Sequence, residues 1–170
     1  MKKHTFLSPV WMFLLGAALG VLSKLMDINT QFLQIASSLN LANVFSEMSI
    51  WILSGTLISI YSTTKAKAAL NVFVFCIGML ITYYVTAELT SSVYGMTFVY
   101  GWAAFSLCSP VFAWFTWMTK EKGVFPKTIS IGILLVTLLV SIVMFSGPRV
   151  YDIAILIVLV YFLFIHKVKR

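Results

Sequence analysis

The chain has 170 residues, of which 61% are hydrophobic and only 10% are charged, and its formal net charge is +7. An average soluble domain carries about 25% charged residues, so the composition excludes an ordinary soluble protein. The basic residues lie in short segments between long apolar runs, which is typical of a membrane topology signal. Because no RNA- or DNA-binding motif accompanies them, the positive charge does not indicate a nucleic-acid partner.

Six long apolar runs predict six transmembrane helices. Each run must be helical, because lipid offers no partner for free backbone groups. The predicted fold is therefore all-α, a six-helix bundle that forms one integral membrane domain over residues 1–170. The predicted spans cover about 6–26, 48–64, 68–87, 94–118, 128–145 and 150–165.

The distribution of Lys and Arg predicts the orientation of these spans. With the N-terminus inside, ten of the twelve basic residues fall in inner segments and only two in outer ones, which is a strong positive-inside bias. Both termini are thus predicted to be cytoplasmic, in a multi-pass protein of a bacterial cytoplasmic membrane. The inner set is Lys2, Lys3, Lys65, Lys67, Lys120, Lys122, Lys127, Lys167, Lys169 and Arg170, and the outer set is Lys24 and Arg149. A cleaved signal peptide is the alternative for the N-terminus, but the apolar stretch continues to Leu22 without an Ala-x-Ala site.

The outer segment between the first two spans, residues 27–46, has a helical pattern. Its apolar residues recur at steps of three and four, and the residues between them are polar and uncharged. The pattern predicts an amphipathic helix at the outer interface. The alternative is a lid over an outward pocket. The apolar positions are Ile28, Phe32, Ile35, Leu39 and Ala42.

Small and polar residues mark one face on each of the first three spans. Gly16 and Gly20 form a Gly-x-x-x-Gly pair, which lets another helix approach closely. That helix belongs either to this bundle or to a partner membrane subunit. The stripes on spans two and three either hydrogen-bond between helices or line a polar cavity. They consist of Ser49, Thr56, Ser59 and Thr63 on span two, and of Asn71, Gly78, Thr82 and Thr86 on span three.

Aromatic and charged residues collect near the predicted outer ends of the spans. Aromatic rings with a few charges are the usual lining of a small-molecule pocket. The candidate ligand-binding residues are Glu47, Trp51, Tyr84, Glu88, Trp102, Arg149 and Asp152. The alternative is that these groups are solvated helix ends and interfacial aromatics.

Catalytic and metal-binding patterns are missing from the sequence. Cys76 and Cys108 lie inside apolar runs without a Cys-x-x-Cys motif, and His4 and His166 lie near the two ends of the chain. No His-Glu-x-x-His, Gly-x-Ser-x-Gly or phosphate-binding loop occurs. The sequence therefore predicts no catalytic residue, metal or cofactor, and an enzyme is the less favoured class.

The chain resembles the substrate-binding component of energy-coupling-factor vitamin transporters. The shared features are six spans, inner termini, a long first outer segment and a small-residue face on span one. In that family the pocket opens outward, the first outer loop helps to cover it, and an Ala-x-x-x-Ala face contacts the coupling subunit. Gly16 and Gly20 stand at that spacing here. The stretches 71–84 and 24–27 also look like those of uncharacterised six-span proteins of Gram-positive bacteria.

Two functional hypotheses follow. The first is a membrane-embedded binding or uptake protein for a small solute, which has an outward pocket and acts with a partner subunit. The second is a structural or regulatory membrane subunit without a ligand. A cavity lined by the candidate residues would favour the first, and a filled bundle would favour the second.

Overall fold

The computed structural model describes residues 7–28, 48–145 and 150–168. Its helices are α1 (Pro9–Ile28), α2 (Met48–Tyr61), α3 (Lys65–Leu89), α4 (Met96–Met118), α5 (Val124–Phe145) and α6 (Val150–Val160). A π-helical turn, Tyr161–Ile165, continues α6. The described part of the chain is an all-α arrangement of six helices, as predicted. The amphipathic segment expected between the first two spans lies almost entirely outside the described residues.

Four helices, α1, α3, α4 and α5, are long and apolar enough to cross a membrane. These four helices support the prediction of a multi-pass membrane protein, and its topology stays a prediction. α2 has 14 residues, so it is about 21 Å long at 1.5 Å per residue, against a hydrocarbon core of about 30 Å. α6 with its π-helical turn is also short. The passage of these two helices through the bilayer stays a prediction.

The start of α3 differs from the sequence prediction for a local reason. The helix begins at Lys65 rather than at residue 68, because the Thr64 hydroxyl accepts a hydrogen bond from the Lys67 backbone N–H at 3.2 Å. This cap satisfies a backbone donor that the first turn leaves free. Two lysines assigned to the loop therefore lie in the first helical turn.

α1 packs chiefly against α3, and glycines allow the two backbones to meet closely. A Cβ atom added at Gly16 would lie 2.1 Å from the carbonyl oxygen of Phe75, and one at Gly78 would lie 2.7 Å from that of Phe13. Thr82 donates a hydrogen bond across the same interface to the carbonyl of Ala17, at 2.9 Å. The small-residue face of α1, including Gly20, is thus covered by a helix of this chain.

α2 lies at the centre of the bundle and contacts α3, α4, α5 and α6. Its buried side chains include Trp51 and Ile58, which join Phe75 of α3 in one apolar core. A second core forms between α2, α5 and α6 around Leu159. By contrast, the outer faces of α1, α4 and α5 expose many large apolar side chains. Surface of this kind is unfavourable in water and suits contact with lipid.

Contacts between helix ends define two ends of the bundle. At the basic end, Lys65 pairs with Glu121 at 3.3 Å, and the Trp117 indole N–H donates to the carbonyl of Ser62 at 2.8 Å. Asn71 donates to the carbonyl of Leu7 at 3.0 Å, which brings the start of α1 to the same end. Asp27, Glu88 and Asp152 lie toward the other, acidic end. Successive helices from α2 to α5 therefore alternate in direction.

Candidate functional site

A cavity of about 510 Å³ lies between α2, α3, α4 and α5, and we call it the central cavity. α2 supplies one wall from Met48 to Ser59, and α4 supplies another from Phe105 to Thr116. Voids much larger than a water molecule are few in a close-packed interior, so the central cavity is more than a packing defect. The remaining described lining residues are Trp51, Ile52, Gly55, Thr56, Val72, Cys76, Ser109, Phe112, Ala113, Phe115, Ile129, Gly132, Ile133 and Val136.

The central cavity is apolar and uncharged over its described lining. None of the described residues around it is Lys, Arg, His, Asp or Glu. Two lining hydroxyls bond within their own helices: Ser59 donates to the Gly55 carbonyl at 2.7 Å, and Ser109 donates to the Ser106 carbonyl at 2.8 Å. Such back-bonding uses the hydroxyl proton and leaves these residues as weak donors toward the cavity.

Trp51 is the distinctive polar residue of the lining. Its side chain is 7% exposed, and its ring stacks on Trp102 with centroids 4.7 Å apart. The indole N–H is buried and finds no hydrogen-bond acceptor in the described part of the chain. Burying a donor without a partner costs about 1–3 kcal/mol. The indole nitrogen itself has almost no accessible surface, so Trp51 lines the central cavity with other atoms of its ring.

The central cavity opens between α4 and α5. These two helices make few contacts with each other, and the lining residues Phe112 and Val136 remain more than half exposed. A Cβ atom added at Gly132, on α5, would meet nothing within 4 Å. Because the outer faces of both helices suit lipid contact, this opening would face the hydrocarbon region of a bilayer that α4 and α5 cross.

Tyr84 and Glu88 belong to a different cluster, at the acidic end of α3. The rings of Tyr84 and Tyr94 lie 5.1 Å apart, and the Tyr94 hydroxyl donates a hydrogen bond to the Glu88 carboxylate. That hydrogen bond raises the pKa of Tyr94 above its ordinary value. Neighbouring Tyr83 donates to Asp27 at 2.6 Å.

Asp152 lies in a third place, at the start of α6. Its side chain is fully buried, and Ser49 of α2 donates a hydrogen bond to its carboxylate at 2.7 Å. The Ser49 and Ser141 hydroxyls lie 3.4 Å apart, which ties α5 to the same contact. Buried carboxylates need such donors, so this group fixes how α2, α5 and α6 meet.

The candidate residues are therefore divided among three locations. Trp51 lines the central cavity and Trp102 stacks on it, whereas Tyr84, Glu88 and Asp152 lie elsewhere. Glu47 and Arg149 lie outside the described residues. The Ser and Thr stripe of span two was the useful signal, because Thr56 and Ser59 both line the central cavity. The contribution of α5 was missed, although Gly132 interrupts an otherwise bulky apolar run.

Metal and thiol chemistry have little support in the described ranges. Residues 7–28, 48–145 and 150–168 contain no group of three His, Cys, Asp or Glu placed to hold a metal ion. Cys76 is buried beside the central cavity and Cys108 is exposed, and both are free. The two thiols serve as small apolar side chains in this arrangement.

No protein family model, curated protein or solved structure matches the chain. The resemblance to energy-coupling-factor components is accordingly supported only in its helical, membrane-type architecture. What the structure shows is an all-α protein with four long apolar helices that could span a membrane.

Proposed function

We propose that the protein is a six-span membrane protein that binds a small solute in the central cavity. The proposal keeps the solute-binding role expected from the sequence and moves the site from the outer helix ends to the space between α2, α4 and α5. Uptake of the solute with a partner subunit is the wider role that such a binding protein would serve.

The central cavity is the observation that carries this proposal. Small-molecule sites occupy about 300–1,000 Å³ and combine apolar walls with a few convergent polar groups. The central cavity has a volume of about 510 Å³ and apolar walls, with the hydroxyl-bearing residues Thr56 and Thr116 among its lining. A purely structural subunit has no need for such a space, because filling it would stabilise the bundle.

Binding can be tested by thermal unfolding of the purified protein in mild detergent, against a panel of uncharged solutes. A solute at 100 times its Kd stabilises a protein by about 2.7 kcal/mol. Gly132→Leu places a side chain into the open space beside α5 and should abolish the stabilisation. Gly101→Leu is the matched control, since Gly101 also has open space around it but lies away from the central cavity.

The outcome separates the two functional hypotheses. Stabilisation of the parent and of Gly101→Leu, but not of Gly132→Leu, supports solute binding in the central cavity. A panel without any stabilising solute, or equal stabilisation of all three proteins, contradicts it and favours a subunit without a ligand.

The proposed topology places the basic end in the cytoplasm, with α2 and α6 as the two short spans. Single cysteines introduced at Ser92, between α3 and α4, and at Lys122, between α4 and α5, test it in a Cys76→Ala, Cys108→Ser background. An impermeant maleimide added to intact cells should label position 92 and not position 122. Labelling of position 122 alone would reverse the orientation.

A further inference from the structure

We infer that the ligand of the central cavity is an uncharged, elongated apolar molecule, which enters from the bilayer between α4 and α5. This inference rests on the proposed function and adds the chemical class of the ligand and its route.

The absence of charge in the lining sets the first requirement. A charged ligand would need an opposite charge or several strong hydrogen bonds to offset its desolvation. The described lining supplies no charged side chain, and the hydroxyls of Ser59 and Ser109 already donate within their own helices. The lining therefore favours an uncharged molecule over a carboxylate or an amine.

The shape of the central cavity favours an elongated molecule. Its lining on α2 runs from Met48 to Ser59, and on α4 from Phe105 to Thr116. Each stretch is about 16 Å long at 1.5 Å of rise per residue. A linear apolar chain follows both walls, whereas a compact solute would leave part of the wall without contacts.

The gap between α4 and α5 determines the path by which the ligand enters the central cavity. Phe112 and Val136, on opposite sides of the gap between α4 and α5, are 55% and 52% exposed and also line the central cavity. A molecule dissolved in lipid reaches the gap directly.

Photolabelling in vesicles tests this inference. The probes are the methyl ester of a diazirine-bearing dodecanoic acid and the free carboxylate of the same acid. Labelled positions are mapped by mass spectrometry. Methyl laurate, laurate and dodecane then serve as competitors. We expect the ester to label lining positions of α2 and α5, with the label lost in Gly132→Leu and kept in Gly101→Leu.

A further variant addresses the route. Val136→Trp should slow labelling at least tenfold. Leu135→Trp is the matched control, because Leu135 is 54% exposed but does not line the central cavity.

The possible failures are distinguishable. Equal labelling of the lining by the carboxylate overturns the inference on ligand class while solute binding stands. Unchanged labelling rates in Val136→Trp overturn the lateral route. No labelling of the lining by either probe, together with no stabilising solute in the thermal screen, overturns the proposed function as well.

Discussion

Replacing Gly16 with alanine should strongly destabilise the bundle, because α1 and α3 touch through their backbones at this position. The added Cβ would lie 2.1 Å from the Phe75 carbonyl oxygen, which cannot rotate away as a side chain could. The two helices must separate by about 1 Å, and a gap of that size forfeits a quarter to a half of each dispersion contact across the interface.

The expected loss in free energy of unfolding depends on the kind of atom that the added Cβ would contact. Overpacking costs typically about 1–3 kcal/mol, and a clash with immovable backbone belongs at the upper end. We therefore expect the free energy of unfolding to fall by about 3 kcal/mol in Gly16→Ala. Gly78→Ala meets the same interface from the other side, where the nearest atom is 2.7 Å away, so its effect should be smaller.

Cys76 provides the assay. It is 3% exposed, and a Cys108→Ser background leaves it as the single thiol of the chain. Reaction with a fluorogenic maleimide then reports unfolding along a titration with sodium dodecyl sulfate, and a linear extrapolation gives the free energy of unfolding.

Gly101→Ala is the control, and its effect should have the opposite sign. A Cβ atom added there meets nothing within 4 Å, so the higher helix propensity of alanine should stabilise the protein by about 0.5–1 kcal/mol. If Gly16→Ala unfolds at the same detergent fraction as Gly101→Ala, α1 does not lie against α3 as described and the reasoning fails.

Three other predictions concern hydrogen bonds at the ends of the bundle. Ser49→Ala removes one donor from the buried Asp152 carboxylate and should lower the free energy of unfolding by about 2 kcal/mol in the same titration. The hydrogen bond to Glu88 raises the pKa of Tyr94. The stabilisation that this hydrogen bond provides is complete below the ordinary tyrosine pKa of about 10 and is lost as the pH rises through the raised pKa. Glu88→Gln should shift the ionisation of Tyr94 to lower pH, as measured by the ultraviolet absorbance of tyrosinate. Lys120 donates hydrogen bonds to the carbonyls of Phe162 and Leu163 in the π-helical turn, and Lys120→Met should speed amide hydrogen exchange there about tenfold.

Each of these predictions has a matched control. Ser54→Ala, on the same helix, should change the free energy of unfolding by less than about 0.5 kcal/mol. Tyr94→Phe should remove the shifted component of the tyrosinate titration, and its persistence would assign that component to another tyrosine. Lys122→Met should leave exchange in the π-helical turn unchanged; equal acceleration by both lysine variants would contradict a local role for Lys120.

Helix positions could be predicted from the sequence because a long run of apolar residues directly indicates a membrane-spanning helix. α4 was expected over residues 94–118 and runs from Met96 to Met118, and the π-helical turn that continues α6 ends at Ile165, the expected end of the last span. The differences are local and have local causes. Thr64 caps α3 early, so Lys65 and Lys67 belong to the helix rather than to the loop before it.

The candidate site was less predictable, because the spans are apolar on all sides and carry little periodic signal for which face meets which neighbour. Tyr84 and Asp152 share the acidic end of the bundle with each other, yet they belong to separate clusters. Membrane depth was therefore a poor guide to proximity. The central cavity depends on how α2 sits among four other helices, and Gly132 was the single local hint that α5 takes part.

The close contact between α1 and α3 has a consequence for assembly with other membrane proteins. Gly16 and Gly20 lie against Phe75, Met79 and Thr82, so a helix of another protein finds no room at this Gly-x-x-x-Gly face. A partner subunit would therefore dock on side chains rather than on backbone, on the large apolar residues that the outer faces of α4 and α5 expose.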